Sequence, residues 1–140
     1  MANEFDRPHP LVAFLFVIAN VGAGTTPVDG KLTGAGIKGG PIVPAGYKFV
    51  PVFIDVETND ARTAGTSTIK VTADGTELVG GPEAVIAAAP STLVDTGMAT
   101  GDADSVAAGE EIGVSATGDG SFAPTTADAD VVLYGYFLPV

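Results

Sequence analysis

The chain has 140 residues, the length of one domain, and its 17 acidic and 6 basic residues give a formal net charge of −11 at pH 7. Nucleic acids and anionic membranes are therefore not expected as partners, because both are bound through Lys and Arg. The absence of cysteine excludes disulfides, thiolate catalysis and cysteine-based zinc sites.

A hydrophobic content of 46% indicates a packed core rather than disorder. The 19 Gly and 10 Pro residues disfavour a helical protein, since both residue types interrupt helices. Composition alone thus argues against both a disordered chain and a helical protein.

The first ten residues predict an extended arm. Pro8 and Pro10 hold the backbone open and prevent a helix. The apolar run that follows, Leu11–Ala19, is far shorter than the roughly 20 residues of a membrane-spanning helix. Glu4 and Asp6 precede it where a signal peptide carries positive charge, so the run is predicted to be the first strand. We therefore expect an arm over 1–10 and a single domain over 11–140.

The next segments are less uniform. A glycine-rich stretch from Gly22 to Gly40 contains a possible strand near Lys31–Ile37. Tyr47–Glu57 alternates clearly, and Pro51 within it predicts an edge or a bulge, because proline lacks a backbone donor. The alternation places Val50, Val52, Ile54 and Val56 on one face and Phe49, Phe53, Asp55 and Glu57 on the other.

Thr66–Val79 predicts a hairpin, because its strands flank Asp74-Gly75, a favoured type I′ turn. Glu83–Ala89, bounded by two prolines, fits either a short helix or a strand. The remaining predicted strands are Leu93–Met98, Glu111–Thr117 and Asp130–Leu138, the last a buried central strand because it is apolar on both faces. About eight strands separated by turn residues predict an antiparallel sandwich or barrel.

Two distant segments share the pattern Val-x-Ala-Gly-x-x-apolar, namely Val43–Phe49 and Val106–Ile112. In each, a glycine turn precedes a predicted strand, which is consistent with two sheets that have related edges. A chance match is the alternative in a chain so rich in Ala and Gly.

Motifs that could bind ligands have simpler interpretations. Gly34–Gly39 has the letters of a dinucleotide fingerprint, but Gly40-Pro41 follows where a helix is required. The pairs Asp102/Asp104 and Asp128/Asp130 do not continue as calcium loops, and Asp119-Gly120 predicts a turn.

Catalytic groups are equally scarce. His9, the only histidine, lies in the arm, which is a poor position for a general base. Acid pairs for glycoside hydrolysis are available by residue type, but sugar sites usually add aromatic platforms. The aromatic residues Phe49, Phe53, Tyr134 and Tyr136 lie in apolar runs and are predicted to be core. We therefore expect no catalytic, cofactor or metal site.

The order of three features resembles the small, jelly-roll-like β-sandwich decoration (cement) proteins of tailed-bacteriophage heads. These features are the strand that follows Val43–Phe49, the hairpin in Thr66–Thr76, and the closing strands after Ala107–Ile112 and in Asp128–Leu138. The resemblance covers roughly residues 41–140. It implies a non-enzymatic virion protein on the capsid surface, a homotrimer that clamps neighbouring major capsid protein subunits.

Such proteins often make this contact through an N-terminal arm. The resemblance therefore implies a partner-binding role for Glu4, Phe5, Arg7, Pro8, His9 and Pro10. The alternative is a carbohydrate- or receptor-binding sandwich of a head fibre or tail.

Overall fold

The regular structure is entirely β-strand in this computed structural model, which describes residues 10–32, 39–86, 92–95 and 105–140. Within these ranges no helix is long and apolar enough to cross a membrane. The ten described strands are β1 Val12–Ile18, β2 Val28–Asp29, β3 Lys31–Leu32, β4 Tyr47–Thr58, β5 Ser67–Ala73, β6 Thr76–Glu77, β7 Glu83–Ile86, β8 Thr92–Asp95, β9 Ile112–Gly118 and β10 Ala129–Pro139.

The strands form two antiparallel sheets. The first has the order β3-β1-β10-β4-β8, and the second has β2-β9-β5-β6 with β7 also paired to β5. The strands β2, β3 and β6 are each two residues long; when β3 and β6 are set aside, the orders are β1-β10-β4-β8 and β2-β9-β5-β7. This is the strand order of a jelly roll, and it confirms the predicted antiparallel sandwich.

The core lies between the two sheets and draws on both. Alternate residues of β1, β7 and β10 point inward, as the twofold period of a strand requires. The residues of this cluster with no exposed surface include Phe16 and Ile18 from β1, Phe49, Ile54 and Val56 from β4, Ile69 from β5, Ile86 from β7, Ile112 from β9, and Val131 and Leu133 from β10.

Gly30 lies where the chain crosses from the second sheet to the first, between β2 and β3. Its N–H donates to the Val114 carbonyl at 2.8 Å, which holds the corner against β9. A Cβ atom at this position would lie 2.6 Å from the Val114 side chain and 3.1 Å from that of Ile18. Glycine is therefore required here by lack of space.

The predicted hairpin is confirmed. Thr72 pairs with Glu77 across it. Asp74 and Gly75 have φ angles of +48° and +79°, the two positive values that a type I′ turn needs.

The alternation predicted for β4 is wrong in its first half. A bulge lies opposite Tyr134 and Gly135, which pair with Phe53 and Pro51 and leave Val52 without a partner. The extra residue shifts the phase of the strand, so Phe49 joins Ile54 and Val56 in the core while Val52 is half-buried. The irregularity predicted from Pro51 is confirmed.

The last strand, β10, is central as predicted, because it pairs with β1 on one side and β4 on the other. Its burial differs from the prediction. Val131 and Leu133 face the core, but Val132, Tyr134 and Tyr136 are only half-buried. No second layer in the described part of the chain buries the outer side of this strand.

The other predicted segments have mixed outcomes. The first half of Glu83–Ala89 is a strand paired with β5, not a helix. Glu111–Thr117 corresponds to β9. Of Lys31–Ile37 only β3 is described, and of Leu93–Met98 only residues 93–95, which belong to β8. The other residues of these segments lie outside the described ranges.

Candidate functional site

The predicted partner-binding arm is described only at its last residue. Pro10 is exposed and lies directly before Leu11, which is 52% exposed. Glu4, Phe5, Arg7, Pro8 and His9 lie outside the described residues. The arm therefore joins the body where β1 begins, and its role stays a prediction.

The outer face of the second sheet is polar. A shallow groove of about 330 Å³ crosses it, lined by Thr66, Thr68, Lys70, Glu77, Glu83, Thr117, Gly118 and Asp119. Lys70 Nζ lies 3.2 Å from Glu77 Oε2, and the Thr117 hydroxyl donates to Glu77 Oε1 at 3.2 Å. The facing charges thus pair with one another, and none of the groove's lining residues is aromatic.

Asp119 closes one end of this groove. Its Oδ1 accepts hydrogen bonds from the Ser121 N–H at 2.9 Å and the Ser121 hydroxyl at 3.0 Å, and its Oδ2 accepts from the Thr66 N–H at 3.0 Å. These donors, the Ser121 N–H first, lower the pKa of the Asp119 carboxyl. Gly120 has a φ angle of +94°, so the predicted turn is confirmed. Asp119 ties the end of β9 to the start of β5.

The acidic pair Asp128/Asp130 is divided between two environments. Asp128 Oδ1 accepts from the Asn20 N–H at 2.8 Å, and the Asp128 N–H donates to Asn59 Oδ1 at 2.7 Å. Asp128 therefore links two loops, whereas Asp130 is exposed on β10. Asp102 and Asp104 lie outside the described residues, as does the fingerprint segment apart from Gly39. Among the described residues, no cluster of three His, Asp or Glu could hold a metal ion.

The outer face of the first sheet is apolar. Ala13 pairs with Tyr134, and Tyr134 pairs with Phe53, so these three form a row across β1, β10 and β4. Further rows extend along the strands in both directions. We call this surface the apolar face and define it by the outward residues Leu11, Ala13, Leu15, Val17, Phe53, Val132, Tyr134 and Tyr136.

Two features show that apolar side chains on this face are accessible to a partner. Leu15 lies in the middle of β1 and is 41% exposed, so this large apolar side chain is not part of the core. Phe53 and Tyr134 stack with ring centroids 4.4 Å apart and planes inclined by 19°. Contiguous apolar surface of this kind marks interaction sites in soluble proteins.

The two ends of the apolar face differ in charge. At one end, Asp130 pairs with Glu57 in the ladder between β10 and β4. At the other end, Lys48 lies at the register position opposite Leu138. Asp55 lies in the row of Val132, next to the acidic end. Its Oδ1 is buried and has no hydrogen-bond donor among the described residues. The face therefore carries carboxylates at one end and a cation at the other.

This face was missed by sequence reasoning, although its signal was present. Phe53, Tyr134 and Tyr136 were predicted to be core together with Phe49, but only Phe49 lies between the sheets. A strand that is apolar on both faces is typical of a central strand covered on both sides. The same pattern fits a strand whose outer side is left for a partner.

Comparison with known proteins gives no match. No protein family, no curated protein and no solved structure corresponds to the chain.

Proposed function

We propose that this chain is a non-enzymatic structural protein of a tailed-phage virion. It binds the outside of the assembled capsid and stabilises the shell by bridging major capsid protein subunits. The arm, residues 1–10, makes the contact with the shell, and association of the body brings several arms together. The resemblance implies a homotrimer for this assembly.

The observation that carries the proposal is the apolar face on an otherwise acidic jelly-roll body. Surfaces such as the exposed Leu15 and the Phe53–Tyr134 stack are typical of subunits that work in assemblies. The jelly roll is itself a common architecture of capsid proteins. Fold and face together support a structural role, and the resemblance supports the phage head as its location.

Stabilisation of a shell needs no catalysis. A protein that binds only the assembled state lowers that state's free energy by RT ln(1 + [L]/Kd), which is about 2.7 kcal/mol at a concentration of 100 times Kd. Linking several arms raises the effective affinity without any new contact. Bridging therefore follows from association of the body combined with one arm per chain.

The test is binding of the purified protein to empty capsid shells and, separately, to free capsid subunits. We expect saturable binding to shells and much weaker binding to subunits. A chain that lacks residues 1–10 should retain the β-sheet circular dichroism spectrum and lose attachment. Absence of binding to shells, or equal binding to free subunits, would contradict the proposal, and full attachment without the arm would exclude the arm's role.

One observation favours the alternative, a carbohydrate- or receptor-binding module. Phe53 and Tyr134 form a half-buried aromatic surface, which can stack on a sugar ring. The polar groove, by contrast, offers charged groups without an aromatic lining residue. Binding on a glycan array that is lost in Tyr134→Ala would support this alternative, and an array without hits would count against it.

A further inference from the structure

The apolar face also has a specific arrangement of shape and charge. We propose that two copies of this chain associate through it, with their strands antiparallel across the contact and a twofold axis near the Phe53–Tyr134 stack. The inference does not depend on the proposed virion function. It also differs from the threefold assembly that the resemblance implies.

The two sheets differ in a way that selects this face. On the second sheet, outward positions carry Thr68, Lys70 and Glu83, and Lys70 is paired with Glu77 within the chain. On the first sheet, the corresponding outward positions of β1 and β10 are apolar along most of their length. A chain with a net charge of −11 is otherwise well solvated, and covering this face removes apolar surface from water.

Charge determines the orientation of the second copy. If strands ran parallel across the contact, the end with Glu57 and Asp130 would meet the same acidic end of the other copy. If they run antiparallel, that end meets Lys48 of the other copy. Opposite charges then face each other twice, once at each end, and like charges are kept apart.

The register makes the antiparallel arrangement self-complementary. With the axis at the row of Ala13, Tyr134 and Phe53, residues equally far from that row on either side come together. Leu11 of one copy then lies over Leu15 of the other, and the small Ala13 of each copy lies at the axis. The same symmetry is required of any contact in which one surface patch binds itself.

The size of the face predicts weak association. Three strands about 4.8 Å apart, each at least about seven residues long at roughly 3.3 Å per residue, give a flat area of roughly 300–400 Å² per copy. Over both copies this is roughly 600–800 Å², below the roughly 1,000 Å² of a stable interface and in the range of weak contacts. Repulsion between two acidic chains weakens it further, so we expect a dissociation constant of about 100 µM.

The first experiment is sedimentation velocity of the full chain from about 10 µM to 1 mM. We expect the mass to rise from one chain to two. Leu15→Lys should remain monomeric throughout, whereas Val85→Lys should dimerise like the wild type. Val85 is a matched control, because it is also 41% exposed and lies on a strand of the polar sheet. A wild type that stays monomeric or reaches three chains, or equal effects of both variants, would overturn the proposal.

The second experiment tests the orientation by charge reversal. Lys48→Glu and Glu57→Lys should each weaken self-association by about tenfold, because like charges then meet at both ends. When the two variants are mixed, each end of the mixed dimer pairs opposite charges, so the mixture should associate more tightly than either variant alone. Unchanged or weaker association on mixing would exclude the antiparallel twofold contact.

Neither experiment uses capsid shells. Failure to bind shells therefore leaves the dimer standing. A chain that binds shells without self-associating would contradict bridging through the body but not attachment to the shell. Circular dichroism of each variant separates lost association from lost folding.

Discussion

Gly46 and Gly109 have nearly the same left-handed backbone conformation, with φ angles of +83° and +87°, in two turns from distant parts of the chain. Each is the third residue of its turn, closed by a hydrogen bond from the Tyr47 N–H to the Pro44 carbonyl at 3.2 Å and from the Glu110 N–H to the Ala107 carbonyl at 3.1 Å. The turns precede β4 in the first sheet and β9 in the second. The Gly109 N–H also donates to the Val43 carbonyl at 2.9 Å, so the two turns are joined.

Replacement of either glycine should reduce the unfolding free energy through backbone strain alone. A Cβ atom at Gly46 or Gly109 would meet nothing within 4 Å, so replacement by Ala creates strain only through its positive φ. We expect each Gly→Ala variant to lose about 1 kcal/mol of unfolding free energy, measured by urea denaturation. The Gly→Asn variants should lose less, since Asn tolerates this region better.

Gly24 is the control for these variants. It lies in an open part of the surface, and its φ is outside the left-handed region. Gly24→Ala should therefore be neutral or slightly stabilising. A loss at Gly24 equal to that at Gly46 would show that the positive φ is not the cause.

At Gly30 a substitution should reduce the unfolding free energy for a different reason, a steric clash. Ala at this position would place its Cβ 2.6 Å from the Val114 side chain. We expect Gly30→Ala to lose roughly 2 kcal/mol, within the range of overpacked cores. Val114→Ala removes the obstructing methyl groups and leaves a cavity, so alone it should also destabilise the fold.

The double variant tests whether the loss of unfolding free energy comes from the clash between residues 30 and 114. Gly30→Ala with Val114→Ala should be clearly more stable than the two separate losses predict when added, because each change relieves the other. Chemical denaturation of the wild type and all three variants gives this coupling. Additive losses would contradict the packing argument.

The bulge in β4 predicts different roles for two phenylalanines four residues apart. Phe49 is fully buried, with ring centroids 5.8 Å from Phe14 and 5.3 Å from Phe137, whereas Phe53 lies on the apolar face. Phe49→Ala should therefore cost about 3–5 kcal/mol. Phe53→Ala should cost about 1 kcal/mol, measured at a concentration low enough to dissociate the proposed dimer. Equal losses would place both rings in the core and contradict the observed phase shift.

Much of the fold follows from local signals in the sequence. Asp74-Gly75 specifies the hairpin because its two residues accept positive φ, and the shared glycine pattern specifies the turns before β4 and β9. The position of β10 also follows, because a strand without charged residues near its middle favours the centre of a sheet. These are properties of single segments, which a sequence displays directly.

Other features depend on contacts between distant segments. Pro51 indicates an irregularity, but only the pairing with β10 determines that Val52 is the extra residue and that Phe49 therefore faces inward. In the same way, apolar residues at Tyr134 and Tyr136 do not reveal whether their cover comes from this chain or another. The apolar face could be recognised only once the two sheets were assembled.

Asp119 predicts a dependence of stability on pH. Hydrogen bonds from the Ser121 N–H, the Ser121 hydroxyl and Thr66 lower its pKa in the folded chain, whereas an unfolded Asp titrates near 3.9. The charged form therefore stabilises the fold above about pH 4, and this contribution is lost as the pH falls through the lowered folded pKa. Between pH 6 and pH 2.5 the urea midpoint of the wild type should thus fall more than that of Asp119→Asn, and the two should converge in acid. Asp60→Asn, which removes an exposed loop carboxylate, is the control, and its urea midpoint should change with pH as that of the wild type does. If the urea midpoints of the wild type and Asp119→Asn differ by the same amount at every pH, the effect of Asp119 comes from its hydrogen-bond geometry alone.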